Sequence, residues 1–166
     1  EGRMLLGSIF SKDNRFPEAL EQYDLVLQLS PDYVPALSQK ATVLKTFGQQ
    51  EEAIETYQRC MRLDPKHGEA VWSLSNLKTY RFTDNEVDKM IAVLAVGDLS
   101  DQQTVHFSYA LGKAYEHRED WQSAFESYAS GNLVKKKLVD WSADKFTQQV
   151  DNIIQTFSAE FVETNR

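Results

Sequence analysis

The sequence predicts an all-α fold: a right-handed α-solenoid of about four stacked antiparallel helix pairs with a C-terminal capping helix. Three observations predict it. A pattern of small and aromatic residues recurs, with Leu6-Gly7, Phe10, Ala19 and Tyr23 returning as Ala41, Leu44, Ala53 and Tyr57, and again as Leu111-Gly112, Tyr115, Ala124 and Tyr128. The period is 34 residues, from Ala19 to Ala53 and from Pro31 to Pro65, which is the length of a helix-turn-helix unit that stacks on copies of itself. Val87, Met90, Ile91 and Leu94 stand at i, i+3, i+4 and i+7, the stripe of an amphipathic helix.

The first pair covers about residues 1–33. Gly7 lies twelve residues before Ala19, as Ala41 does before Ala53 and Gly112 before Ala124, so small side chains fall where two antiparallel helices touch. The aromatic one turn after each alanine fills the wider space beside it. Glycine inside a helix costs about 1 kcal/mol relative to alanine, so close packing has to supply the reason for it. The second pair, 34–67, carries Lys40-Ala41 where the first has Leu-Gly.

The third pair, 68–99, is irregular, because Ala124 comes 71 residues after Ala53, three more than two periods. Glu69 to Tyr80 supplies one helix and the Val87 stripe the other. Thr83 with Glu86, and Ser100 with Gln103, have capping-box spacing and mark two helix starts. The fourth pair, 100–139, has Lys136 where the proline would fall, so the helix beginning near Asp120 continues through Lys135, Lys136 and Lys137, cations suited to a helix carboxyl end. A break is expected near Asp140, followed by capping helices over 142–166. Ser142 starts a helix with Phe146, Val150, Ile153, Ile154 and Phe157 on one face and Gln148, Gln149, Asp151, Asn152 and Gln155 on the other, the form a solenoid needs at its end. A last short helix is expected after Ser158.

Composition narrows the function classes. With 166 residues, 42% hydrophobic and 26% charged, and no Gly/Ser linker, the chain is one folded domain. A net charge of −7, with the acids scattered, gives no cationic footprint for nucleic acid. No apolar run reaches membrane-spanning length, no signal-peptide pattern opens the chain, and the one cysteine, Cys60, has no partner for a disulfide. These features predict no membrane partner and a cytoplasmic location, while the missing initiator Met leaves room for an upstream address.

Convergent reactive groups are not apparent. His67, His106 and His117 are too far apart for a ligand set; the closest two are eleven residues apart, about 16 Å along a straight helix. The glycines of residues 2–8 mimic a phosphate loop without its lysine. Cys60, beside Tyr57 and Met61, reads as a small buried residue, and Glu51 and Glu52 favour the positive end of their helix. No catalytic residue, cofactor or metal is expected. A stack of helix pairs instead presents a concave groove lined by its first helices. In the third and fourth units that face selects Trp72, Asn76 and Tyr80, then His106, Tyr109 and Lys113, a set suited to clamping an extended peptide or a neighbouring helix. The competing reading packs Trp72 and Tyr80 inside the irregular unit.

The Leu-Gly, aromatic, Ala, aromatic and Pro pattern of residues 6–31 and 111–128 resembles the tetratricopeptide repeat family. The resemblance implies a noncatalytic scaffold that binds a protein or peptide. One branch of that family holds acidic chaperone tails with groove lysines and asparagines. Here the equivalent faces carry Met4 and Ser8, then Ser38, Gln39 and Thr42, then Glu69 and Ser73, so that clamp is missing.

From Gly68 onward, three segments (68–90, 99–132 and 151–161) resemble the repeat region preceding the catalytic domain of bacterial tetratricopeptide-repeat sulfotransferases. That likeness implies a strand and a glycine-containing phosphate loop beyond Arg166, and no catalytic residue within the chain. The groove would then pack against its own downstream domain or help to recognise that domain's acceptor substrate.

Overall fold

The computed structural model describes residues 2–139, 142–157 and 161, and nine helices account for most of them. They are α1 (Gly2–Lys12), α2 (Phe16–Leu29), α3 (Val34–Phe47), α4 (Gln50–Leu63), α5 (Gly68–Ser75), α6 (Asp84–Val96), α7 (Asp101–Glu116), α8 (Trp121–Leu138) and α9 (Ala143–Thr156). No strand occurs among the described residues. One compact unit runs to Lys135 and a second begins at Lys136.

Local chemistry sets the boundaries. Pro17 and Pro35 sit in the first turns of α2 and α3, where a missing N–H costs nothing. Gly48 and Gly97 end α3 and α6 in the left-handed conformation, at φ 93° and 71°. Both expected capping boxes form: the Thr83 and Ser100 hydroxyls accept from the N–H groups of Glu86 and Gln103, whose side chains reach back to the cap N–H groups. Ser142 likewise accepts from the Lys145 N–H at the start of α9.

In the first unit α1 packs on α2, α3 on α4, and α2 and α4 each on the first helix of the next pair. Ala19, Ala41 and Ala53 are fully buried, as the period requires. The glycines have a more direct reason than proximity to alanine. A Cβ on Gly7 would lie 2.8 Å from the Tyr23 ring, and one on Gly112 would lie 2.6 Å from the Tyr128 ring. The tyrosine lies over the glycine itself, and the hydrogen side chain is the space that the ring occupies. In the second pair, where Ala41 replaces glycine, the Tyr57 hydroxyl hydrogen-bonds Thr42 Oγ1 at 2.9 Å.

The irregular third unit departs from expectation. Its first helix stops at Ser75, five residues short of Tyr80. Ser75 Oγ and Asn76 Nδ2 both donate to the Trp72 carbonyl, at 2.8 and 2.9 Å, and satisfy the helix end from its own side chains. The loop that follows buries Leu77, Tyr80 and Phe82 in the main core. α5 packs against α4 and α7, and α6 lies on α7.

α8 continues through the three lysines to Leu138, as expected. Phe146, Val150, Ile153 and Ile154 on α9, and Phe157 at its end, are exposed. The expected break at Asp140 and the last short helix at 158–160 and 162–166 lie outside the described residues.

Candidate functional site

A pocket of about 300 Å³ is lined by Trp72, Ser75 and Asn76 at the end of α5, Tyr109 and Lys113 on α7, and Tyr128 and Asn132 on α8. Four of the six residues selected from the sequence meet here. Trp72, Asn76, Tyr109 and Lys113 converge because α5 and α7 pack side by side, with Gly68 close against His106.

The walls are aromatic. The Trp72 and Tyr109 centroids are 5.6 Å apart with planes at 53°, and the Tyr109 and Tyr128 centroids are 6.2 Å apart at 57°. These are the tilted arrangements that aromatic quadrupoles favour.

The other two selected residues behave differently. His106 stacks nearly parallel on Trp72, at 6.1 Å and 4°, and braces the indole without lining the pocket. Burial holds its imidazole below the ordinary histidine range, against a smaller opposing effect of Glu69.

Tyr80 is not a groove residue. It lies in the loop after α5, 8% exposed and edge-on to Phe82; its hydroxyl donates to Glu86 Oε1 at 2.5 Å and accepts from Gln58 at 3.1 Å. Burial, and then the Glu86 carboxylate, push its phenol well above the usual range. The competing reading therefore describes Tyr80, while Trp72 keeps a partly exposed face. Ser38 and Ser73, placed on groove faces by the sequence, are buried as well.

Three lining residues were not selected from the sequence: Ser75, the last residue of α5, and Tyr128 and Asn132, both on the second helix of the fourth pair. The Tyr109 hydroxyl donates to Asn132 Oδ1 at 2.7 Å. The Tyr128 hydroxyl donates to Glu116 Oε2 at 3.1 Å, the same oxygen that Lys113 Nζ reaches at 2.6 Å. These bonds keep Glu116 ionised below the ordinary carboxylate range, chiefly through Lys113. Desolvation, and then Glu116, push Tyr128 up to about 12. The pocket thus presents aromatic rings with hydrogen-bonded hydroxyls and a cation whose charge is already matched by Glu116. Tyr128 carried a signal as a repeat aromatic, but one that pointed to packing. Asn132 carried none.

Elsewhere the titratable groups read as structural. Burial pushes the Cys60 thiol up to about 11, which leaves it protonated and unreactive at neutral pH. Among the described residues no group of three or more His, Cys, Asp and Glu side chains is placed to hold a metal ion. No helix there is long and apolar enough to cross a membrane.

A family model for the tetratricopeptide repeat matches residues 34–67, which are α3 and α4 with their loops. That helix pair is similar to a tetratricopeptide repeat. The solved structure of MamA superimposes with a TM-score of 0.61 over 84% of this chain and 80% of that one, at 14% identity, and shares the fold. The chain thus has an all-α, tetratricopeptide-repeat-like fold of stacked helix pairs, as its sequence period predicts.

In sequence it is similar to an uncharacterized protein of Aquifex aeolicus, 26% identical over 162 residues that make up 96% of this chain and 21% of the relative. It is also similar to Hsp70-Hsp90 organizing protein 3 of Arabidopsis thaliana, 26% identical over 149 residues, or 89% of this chain and 25% of that protein. The chain spans a quarter or less of these two relatives.

Proposed function

We propose that the tetratricopeptide repeats form a noncatalytic scaffold that binds a protein or peptide segment in the pocket between Trp72, Tyr109 and Tyr128. The convergence of Trp72, Asn76, Tyr109 and Lys113 carries this reading: residues drawn from two helices of different units build one aromatic recess with polar groups at its rim. Aromatic anchors in a recess are where binding energy concentrates. The similarity to an Hsp70-Hsp90 organizing protein supports a scaffold role.

The immobilised protein and its Trp72→Ala and Tyr109→Ala variants, compared as baits against one lysate, test the proposal. The partner retained by the wild type should be lost from both variants while their helix content by circular dichroism stays the same. Equal retention by all three would remove the groove.

A narrower form attaches the scaffold to a sulfotransferase domain beyond Arg166, with the groove packing on that domain or helping to recognise its acceptor. It is supported only by the likeness that begins at Gly68, and the gene sequence downstream of Arg166 decides it. A cytoplasmic location belongs to the same proposal, and a single buried thiol suits a reducing compartment.

A further inference from the structure

We propose that the outer face of α1 seats a further helix of the same chain: the second helix of a preceding repeat, encoded upstream of Glu1 and packed on α1 as α2 is packed on α3. The starting observation is an apolar stripe without a cover. Leu5, Leu6 and Ile9 stand at i, i+1 and i+4 on α1 and are 65%, 39% and 46% exposed.

The internal repeat identifies what belongs there. Setting Leu6-Gly7 on Leu111-Gly112 places Leu5, Leu6 and Ile9 against Ala110, Leu111 and Ala114 of α7, and all three of those are buried in the main core. Here α7 packs on α5 and α6, the pair before it. Setting the same dipeptide on Lys40-Ala41 places the stripe against Gln39, Lys40 and Val43 of α3. Val43 is buried in one cluster with Ala19 and Tyr23 of α2, and Lys40 Nζ pairs with Asp24 of α2 at 2.6 Å. These positions therefore face the preceding unit in α3 and in α7, and in α1 they lie bare.

The stripe also specifies the chemistry of the incoming helix. Where α3 offers Lys40 to Asp24, α1 offers Leu6, so the residue 34 positions before Asp24 must be apolar to avoid a carboxylate buried without a partner. The residue 34 positions before Ala19 must be small, because it meets Ile9 as Ala19 meets Val43.

A second copy of the chain suits this face less well. α1 has 11 residues, so its open side is about 16 Å long and about 10 Å wide, well short of the roughly 800 Å² per partner that separate chains bury in a stable complex. A helix tethered by a loop like residues 30–33 is held at high effective concentration and needs far less area.

A chain lengthened upstream by one 34-residue period of its own gene, studied beside the 166-residue chain, tests the proposal. The added residues should carry a small residue 34 positions before Ala19, an aromatic before Tyr23 and an apolar residue before Asp24, each at the same spacing. Leu5→Lys should leave the melting temperature of the 166-residue chain unchanged, because that side chain already lies in water, and should lower that of the longer chain by several degrees. Leu6→Lys should also lower it, and aspartate introduced 34 positions before Asp24 should recover part of the loss by rebuilding the pair that Lys40 makes. Upstream residues without this pattern, or Leu5→Lys and Leu6→Lys acting alike on both chains, would overturn the proposal. A dimer of the 166-residue chain in sedimentation, split by Leu5→Lys, would overturn it too and give the face to a second copy.

Discussion

Gly112 shows how much of this molecule is decided one side chain at a time. Substitution by alanine improves helix propensity by about 1 kcal/mol, yet it places a methyl group 2.6 Å from the Tyr128 ring, well inside contact distance. Overpacking of that kind costs about 1–3 kcal/mol, and here the Tyr128 hydroxyl is tied to Glu116, so the ring is not free to swing away. Gly112→Ala should therefore lower the unfolding free energy in urea by about 1–2 kcal/mol, and adding Tyr128→Leu should recover part of the loss. A more stable Gly112→Ala protein would mean that the ring is not held where we place it. Gly48 makes the contrast: nothing stands within 4 Å of its missing Cβ, and its glycine answers to φ 93° alone.

At the scale of elements, the helix starts are the most exposed to test. Thr83 holds α6 through a complete capping box, and its partner Glu86 also accepts from Tyr80 and Gln58, so the cap anchors the buried loop as well as the helix. Thr83→Ala should cost about 1 kcal/mol of stability in thermal melts, and Thr83→Ser should restore most of it. An unchanged melting temperature would assign the α6 start to packing instead.

The same region shows where the sequence was legible and where it was not. Both capping boxes were readable because the chemistry lies within four consecutive residues. The 34-residue period was readable because a ring over a small residue leaves its mark at a fixed spacing. The end of α5 was not, because no glycine or proline announces it: Ser75 and Asn76 turn back on the Trp72 carbonyl, which takes Tyr80 off the helix and into the core. Asn132 was hidden for another reason. Its place in the pocket depends on how α8 lies against α7, a relation between elements that no local spacing encodes.

For the whole molecule, the histidines give stability a pH dependence with a definite sign. His106 faces Trp72, Gln102, Glu69, His67 and Lys135, and burial is the largest influence on it; His117 is lowered by burial, then by Arg81 and Lys113. Both have folded pKa values below the unfolded value, so the unfolded chain binds more protons as the solution is acidified. Their contribution is fully present above about pH 6.5 and is lost as pH falls through the depressed values. The carboxylates Glu86 and Glu116, also lowered, add a further loss only below the ordinary glutamate range.

The melting temperature should thus decline from about pH 7 to pH 5, and His106→Gln should flatten part of that slope. A flat profile in the wild type would show that these rings titrate freely.

Gly131 has an outcome of its own. A Cβ there would stand 2.6 Å from the Tyr109 ring, so the position of that aromatic is set from behind by a residue outside the pocket lining. A larger side chain at residue 131 would tilt that wall and reshape the recess while leaving every lining residue as it is.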